Sequence, residues 1–373
     1  NGLSYDGQKS SYVNVLAEQL KLANPSLVFN TPFVDAASVG AGQPGFGINP
    51  ALNTSNPLSL LNKTFTITVT VPAPYSLQKV TNCDGNPGLS PAPKAPHGDG
   101  TILFGPSYNN ETGIVKTFGP FTIADAPALL ANPGAILPNI ATAPSIYPLS
   151  GPFHNMGVPG ARVIDVNNHG LGGPSLITLN GTTPVIHNPY FSRFAKDANS
   201  SMLSDAMLMK PSFFTLFIGN NDVLLWASQG GSASGLGATQ KTDTKVFGDS
   251  ARSIVKTLNT SAKQGVIINI SQITGAAFFT FNKPSAEYYI VTESGSVRPM
   301  QDGDLLLLTV PQDSLHCKLK NAAGKAFGTQ AYPIPKQYTL TKIQADSVVM
   351  FTTAYNDSLK VLADQYGYAY FDM

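Results

Sequence analysis

One segment constrains the fold more than any other: Phe213–Gly219, FFTLFIG, followed at once by Asn220, Asn221 and Asp222. An apolar run this short, stopped by Gly and Asn/Asp, is strand length rather than helix length. It lacks polar alternation, so both faces are buried, as in a parallel strand covered by helices. Its surroundings fit that reading. Arg193–Met209 carries Phe194, Ala198, Met202 and Ala206 at helical spacing, and residues 246–260 can form a second helix. Val266–Ile270 reads as another buried strand, with Asn269, Ser271 and Gln272 at or just past its end. Residues 340–366 form a long amphipathic helix through Ile343, Val348, Phe351, Tyr355, Leu359 and Leu362, and Tyr368–Asp372 reads as a final edge strand. The succession predicts an α/β fold, a parallel sheet covered by helices on both faces.

The remaining chain has another texture. Residues 8–24 place Tyr12, Val13, Leu16 and Leu20 on one face, which predicts one helix ending before Pro25. Thr64–Val71, TFTITVTV, alternates strictly and predicts a half-buried strand. The stretch PGLSPAPKAPHGDG reads as loop, because proline removes backbone donors. Ala161–Val166 looks like a short strand after a Gly/Pro turn, and 285–340 mixes loops with strand-like Tyr288–Val291 and Leu305–Val310. With Gly 34 and Pro 29 in 373 residues the chain is rich in turns, yet 42% apolar content is enough for a large core.

Charge and cysteine content narrow the function. Charged residues are 12% of the chain and the formal net charge is +1, which disfavours binding nucleic acid or acidic lipid through bulk charge. Cys83 and Cys317 are the two cysteines; they could form one disulfide or be two unrelated thiols. No apolar stretch approaches the roughly 20 residues that span a bilayer. No signal peptide is visible, but the chain starts at Asn1, so a removed leader stays open, and the low charge is compatible with export. The histidines His97, His154, His169, His187 and His316 show no metal-binding spacing, and no cofactor is implied. Asp165, Asp197 and Asp222 leave paired-carboxylate chemistry as background.

Two segments carry chemistry. Gly219-Asn220-Asn221-Asp222 lies where a parallel strand would deliver ligand-binding groups. An amide there can donate to a developing oxyanion, and a neighbouring carboxylate can brace the loop. The alternative is a turn whose side chains cap their own backbone. His154-Asn155-Met156-Gly157-Val158-Pro159-Gly160 places glycines before a strand-like run, where an N–H can approach a ligand unobstructed. Its alternative is an ordinary tight turn.

Together these segments resemble the SGNH (GDSL-type) hydrolases, a family of esterases and lipases with a flavodoxin-like three-layer α/β fold. Gly219–Asp222 matches the family's G-x-N-D block, so Asn221 maps to its oxyanion asparagine. Asn155–Gly160 resembles the second block, so Gly160 maps to its oxyanion glycine. Pro211–Val223 and NGLSYDGQKSSYVNVLAEQL are similar to a Bacteroidetes-type exported subgroup, often lipoproteins. The resemblance is strong over 1–24 and 150–283, fair over 330–373 and weak over 28–148. It implies a hydrolase core made of 1–27, 149–284 and 336–373, an insertion or cap at 28–148, and a smaller β/loop insertion at 285–335. It implies a serine-dependent ester hydrolase with Gly160 and Asn221 as oxyanion donors. His154, Asn155, Gly219, Asn220 and Asp222 would support or line the cleft, with Asp222 anchoring its loop. The expected partner is a small-molecule, lipid or carbohydrate ester, with no nucleic acid. The expected location is the periplasm, outer membrane or cell surface, with a lipid anchor outside the given sequence.

The departures from the family are plain. No nucleophile block precedes Asn1 and no D-x-x-H follows Phe371, so the chain reads as missing both ends of one domain, inactive by itself and poorly folded alone. Gly248-Asp249-Ser250 spells the nucleophile motif but follows the other blocks and lies near a helix start, so it is rejected. The competing function is a carbohydrate-binding or surface-adhesion protein on a decayed hydrolase scaffold. A nucleotide-binding flavodoxin-like domain is disfavoured, since the sequence has no G-x-x-x-x-G-K-[ST] phosphate loop.

Overall fold

In a computed structural model, the structure describes residues 4–34, 36, 45–49, 62, 65–70, 75–81, 83, 87–93, 114–118, 122–125, 149, 151–173, 177–180, 183–186, 188–231 and 240–373. The chain forms two compact units. The first comprises Asn1–Ser76, Pro93–Ala161 and Asp165–Lys210; the second comprises Leu77–Ala92, Arg162–Ile164 and Pro211–Met373.

In the first unit the expected single N-terminal helix is two: α1 (Tyr5–Lys9) and α2 (Tyr12–Ala23). The break falls at Ser11, the N-cap of α2 in extended backbone, whose hydroxyl donates to the Gln8 carbonyl at 2.7 Å. The alternating segment forms β2 (Phe65–Thr70), between β1 (Gly45–Asn49) and a later strand, Ile114–Phe118, in an antiparallel sheet. The helix expected over Arg193–Met209 is likewise interrupted. Helix α3 spans Pro189–Ser192 under the Asn188 cap, and α4 spans Met202–Leu208 under a Ser201–Ser204 capping box. Between them the Ser200 hydroxyl accepts the Asp197 N–H at 3.1 Å and donates to the Asp197 carbonyl at 2.8 Å, and the Asp197 carboxylate accepts the Asn199 N–H, so local side-chain bonds compete with the helix. Phe191, Phe194, Met202, Leu171 and Ala161 form the core cluster. Arg193 is buried beside it and donates through one terminal nitrogen to the Pro32 and Phe33 carbonyls, both at 3.1 Å; burial lowers its pKa to about 10.

The second unit holds a parallel sheet. Strand β3 (Tyr75–Thr81) pairs with β4 (Pro87–Pro93) in a separate hairpin; β5 is the Ile114–Phe118 strand above, and β6 (Ile177–Asn180) with β7 (Thr183–Ile186) is a hairpin of the first unit. The parallel sheet has the order β14-β9-β8, with β8 at Phe213–Leu216, β9 at Gln264–Ile268 and β14 at Ala369–Phe371. Its register pairs Phe213 with Gln264 and Ala369 with Val266. The mixed helix–strand order with this sheet is an α/β arrangement.

Helices make the crossovers that parallel strands require. After β8 come α5 (Asn221–Ala227) and α6 (Thr244–Leu258); α7 (Ala277–Thr280), α8 (Gln312–His316) and α9 (Lys342–Tyr366) follow β9. Helix α6 buries Phe247, Ala251, Ile254, Val255 and Leu258, and α9 buries Val348, Tyr355, Leu359 and Leu362. These positions recur at helical spacing, and each fully buried large side chain is worth about 1.5–3 kcal/mol. Helix α9 opens with a Thr341–Gln344 capping box and closes at Gly367 in left-handed backbone.

Between β9 and α9, the short hairpin β10 (Tyr289–Val291)–β11 (Val297–Pro299) and the antiparallel pair of β12 (Leu305–Leu306) with the distant β13 (Thr339–Leu340) accompany a core of Ile290, Met300, Leu306, Leu315, Phe327 and Ile334. Buried Asp304 ties this insert to α9: it accepts from Arg298 at 2.6 and 3.0 Å and from the Lys342 backbone N–H at 2.9 Å. Those bonds hold its carboxyl below the usual range despite burial.

Two further expectations change. The proline-rich stretch read as loop contains β4, because a two-stranded ribbon has only edges and edges tolerate proline. Ala161–Val166 is not a strand but a 3-10 turn at Val163–Asp165. Cys83 and Cys317 are joined as a disulfide across 234 positions of sequence, within the second unit.

Candidate functional site

The site is built at the C-terminal end of β8. Gly219 has φ +116, a backbone state that favours glycine. Space demands glycine as well: a Cβ there would stand 2.4 Å from Ile270 Cδ1 and 2.9 Å from the Phe247 ring. The chain therefore turns sharply into α5, whose first residue is Asn221. Asn220 sits at the N-cap without a side-chain cap bond, and both asparagines are half-buried.

Asp222 reaches beyond its own turn. It is fully buried; Oδ2 accepts the Val163 N–H at 2.9 Å and Oδ1 accepts the Thr242 hydroxyl at 2.6 Å. Burying a carboxylate is costly unless such bonds replace water. The Thr242 N–H returns to the Asp222 carbonyl at 2.9 Å, and the Tyr355 hydroxyl donates to the Thr242 carbonyl. Tyr355 is itself fully buried and stacks on Phe247 with ring centres 4.1 Å apart. Burial, then the nearby Asp222 and Asp243 charges, raise its phenol pKa, so it remains a donor. A chain of contacts thus runs from α9 through Tyr355, Thr242 and Asp222 to the backbone at Val163, which follows Gly160 closely in sequence.

Thr242 and Tyr355 escaped the sequence reading as site-supporting residues. Tyr355 was visible only as a core position, and a lone threonine in TDT carries no signal. Beside them Lys241 lies between Trp226 and Phe351, 4.1 and 4.3 Å from the ring centres, and donates to Ser347 Oγ at 2.5 Å. Burial lowers its pKa. At the end of β9 the Asn356 amide pairs with both backbone groups of Ile270 at 2.8 Å, and the Asn269 side-chain Oδ1 accepts the Met373 N–H at 2.9 Å. Ser271 and Gln272 beyond it are exposed.

The other predicted segment lies in the first unit. His154 Nδ1 accepts the Asn30 N–H at 3.0 Å and its ring stacks on Phe29. When neutral the ring therefore carries its proton on Nε2, and partial burial lowers its pKa. Asn155 Oδ1 accepts the Gly157 N–H at 3.0 Å, a local turn. Gly160 has φ +77 in a turn closed by Ala161 N–H to the Val158 carbonyl at 3.2 Å, and Asn188 donates to the Pro159 carbonyl at 3.1 Å. Gly160 and Asn221 thus belong to different compact units.

The other histidines split. His169 is exposed, with Nδ1 2.7 Å from the Asn199 carbonyl, so Nδ1 carries the proton. His316 ends α8. His97 and His187 lie outside the described residues. Gly248-Asp249-Ser250 lies inside α6, with Asp249 paired to Lys245 at 2.6 Å, consistent with its rejection as a nucleophile turn. Among the described residues no group of three metal-binding side chains occurs, and no helix is long and apolar enough to cross a membrane. Comparison with protein-family models, curated proteins and solved structures finds no match for this chain.

Proposed function

We propose that the chain belongs to a serine-dependent carboxylic-ester hydrolase of the SGNH type, with a flavodoxin-like three-layer fold, and that it carries the oxyanion-stabilising half of the site. The observation supporting this reading is the use made of Asp222. A wholly buried carboxylate is committed to the Val163 backbone and the Thr242 hydroxyl, so it braces the turn that presents Asn221. A turn needed only to join β8 to α5 has no need of that anchor. In the proposed reaction a serine attacks the ester carbonyl while a histidine removes its proton. The negative charge forming on the carbonyl oxygen is met by the Asn221 amide, and water then releases the acyl group. The serine and the base are assigned to no residue of this sequence. Substrates are small-molecule, lipid or carbohydrate esters. The disulfide between Cys83 and Cys317 favours an exported, oxidising location such as the periplasm or cell surface.

The test is hydrolysis of a short p-nitrophenyl ester by the complete gene product. Asn221→Ala should lower kcat by about 100-fold or more with little change in KM, the cost of one oxyanion donor. Wild-type turnover in that variant would remove Asn221 from the mechanism. Absence of hydrolysis in the complete protein would favour the non-catalytic carbohydrate-binding or adhesion reading.

A further inference from the structure

Helix α9 uses one face for the core and leaves another open. Opposite its buried side chains, Ile343, Met350 and Val361 are 77%, 60% and 55% exposed, with half-buried Ala354 in the same row. At about 100° per residue all four fall within about 20° of one line. Single exposed apolar side chains are ordinary, but a straight row along a long helix is the pattern of a helix–helix seam.

The row has an internal symmetry. Ile343 and Val361 are equally distant from Thr352, and so are Met350 and Ala354. A second α9 laid antiparallel across a twofold axis therefore sets Ile343 against Val361 and Met350 against Ala354, large into small, twice. A groove of about 220 Å³ beside Val361, lined by Gly248, Arg252, Asp357, Ser358 and Leu362, is placed to receive Ile343 of the second copy.

The charges agree with the same partner. Lys342, Asp346, Lys360 and Asp364 lie on one flank of the row, about 60–100° away. They form exposed i,i+4 pairs of 2.6 and 2.8 Å within the helix. In an antiparallel twofold pair like flanks meet. Lys342 then faces Asp364 of the second copy, and Asp346 faces Lys360. The centre of this charge pattern lies one residue, about 1.5 Å, from that of the apolar row, within reach of a lysine side chain.

We propose that the exposed face of α9 is a twofold homodimer interface, with α9 packed antiparallel on α9 of a second copy. The test is the mass of the full chain in solution at micromolar concentration, by sedimentation or light scattering, with two variants. Met350→Glu should shift the protein to monomer, weakening association by about 30-fold or more as for a central hot-spot residue. Its circular dichroism should be unchanged, because the side chain is mostly exposed, and its unfolding midpoint should match that of wild type diluted until monomeric. Thr353→Cys, near the twofold centre, should form an intermolecular disulfide under mild oxidation. A monomeric wild type would overturn the proposal. So would a dimer that survives Met350→Glu and shows no intermolecular disulfide in the Thr353→Cys variant. A monomeric wild type that Met350→Glu destabilises would overturn it in a particular way, by showing that another segment of the same chain covers the face.

Discussion

The two segments singled out for chemistry are built in opposite ways. Around Gly219–Asp222 the important contacts are long-range and buried: Asp222 reaches Val163 and Thr242, Tyr355 reaches Thr242, and Gly219 is wedged against Ile270 and Phe247. Around His154–Gly160 the contacts lie nearer the surface and divide between local turns and partners far along the chain. Asn155 bonds Gly157, Gly160 closes a tight turn, and His154 leans on Phe29 and Asn30 in the segment that follows α2. A turn fixed by buried partners holds a side chain in place without help from a ligand. A turn fixed by its own residues gives little when one bond is lost.

That contrast orders the expected effects of mutation. The largest belongs to Asp222→Ala, which strands the Val163 N–H and the Thr242 hydroxyl in the interior. It should cost about 4 kcal/mol, measured as a lowered urea midpoint. A loss below about 1 kcal/mol would mean that water replaces the carboxylate and that the anchor is dispensable. Gly219→Ala comes next, at about 3 kcal/mol, since a methyl group meets both a positive φ and the Ile270 side chain. Tolerance of alanine would show that the turn can be repacked. On the other side, Asn155→Ala removes one partly exposed local bond and should cost about 0.5–1 kcal/mol in the same assay. A cost matching that of Asp222→Ala would erase the contrast.

The smallest effect is a pH dependence at His154. Its folded pKa lies below the ordinary 6.5, with burial as the cause. Below 6.5 the unfolded chain binds a proton that the folded chain resists, so stability falls with pH until the lowered value is passed, and this contribution is flat above 6.5. Protonation also places a hydrogen on Nδ1, against the Asn30 N–H. Comparing wild type with His154→Phe in urea, from neutral to mildly acidic pH, should show the shallower pH dependence in the variant. Parallel curves would mean that the histidine is solvated as freely as in the unfolded chain.

Legibility in the sequence followed the range of the forces. Helices α6 and α9 were readable because a long periodic apolar face survives almost any packing. Strands β8, β9 and β14 were readable because short apolar runs between turns have few alternatives. Boundaries failed where side chains compete locally with the backbone, at Ser11 and at Asp197–Ser200, and in the Val163–Asp165 turn mistaken for a strand, whose Val163 N–H goes to the distant Asp222. At the site, the sequence pointed to Gly219, Asn220, Asn221 and Asp222 because Gly and Asn/Asp after a buried strand are conspicuous. It could not show Thr242 or Tyr355 as supports, since each owes its role to a partner many positions away.

The sequence by itself determined the α/β order of elements, the parallel strands and the polar turn that ends β8, because apolar periodicity and turn chemistry are local properties. Only the tertiary structure decided that Cys83 meets Cys317, that Asp222 spends its charge on Val163 and Thr242, and that α9 keeps a symmetrical apolar row in the open. Those outcomes depend on which distant segments share a neighbourhood, and on which face of a helix the core claims first.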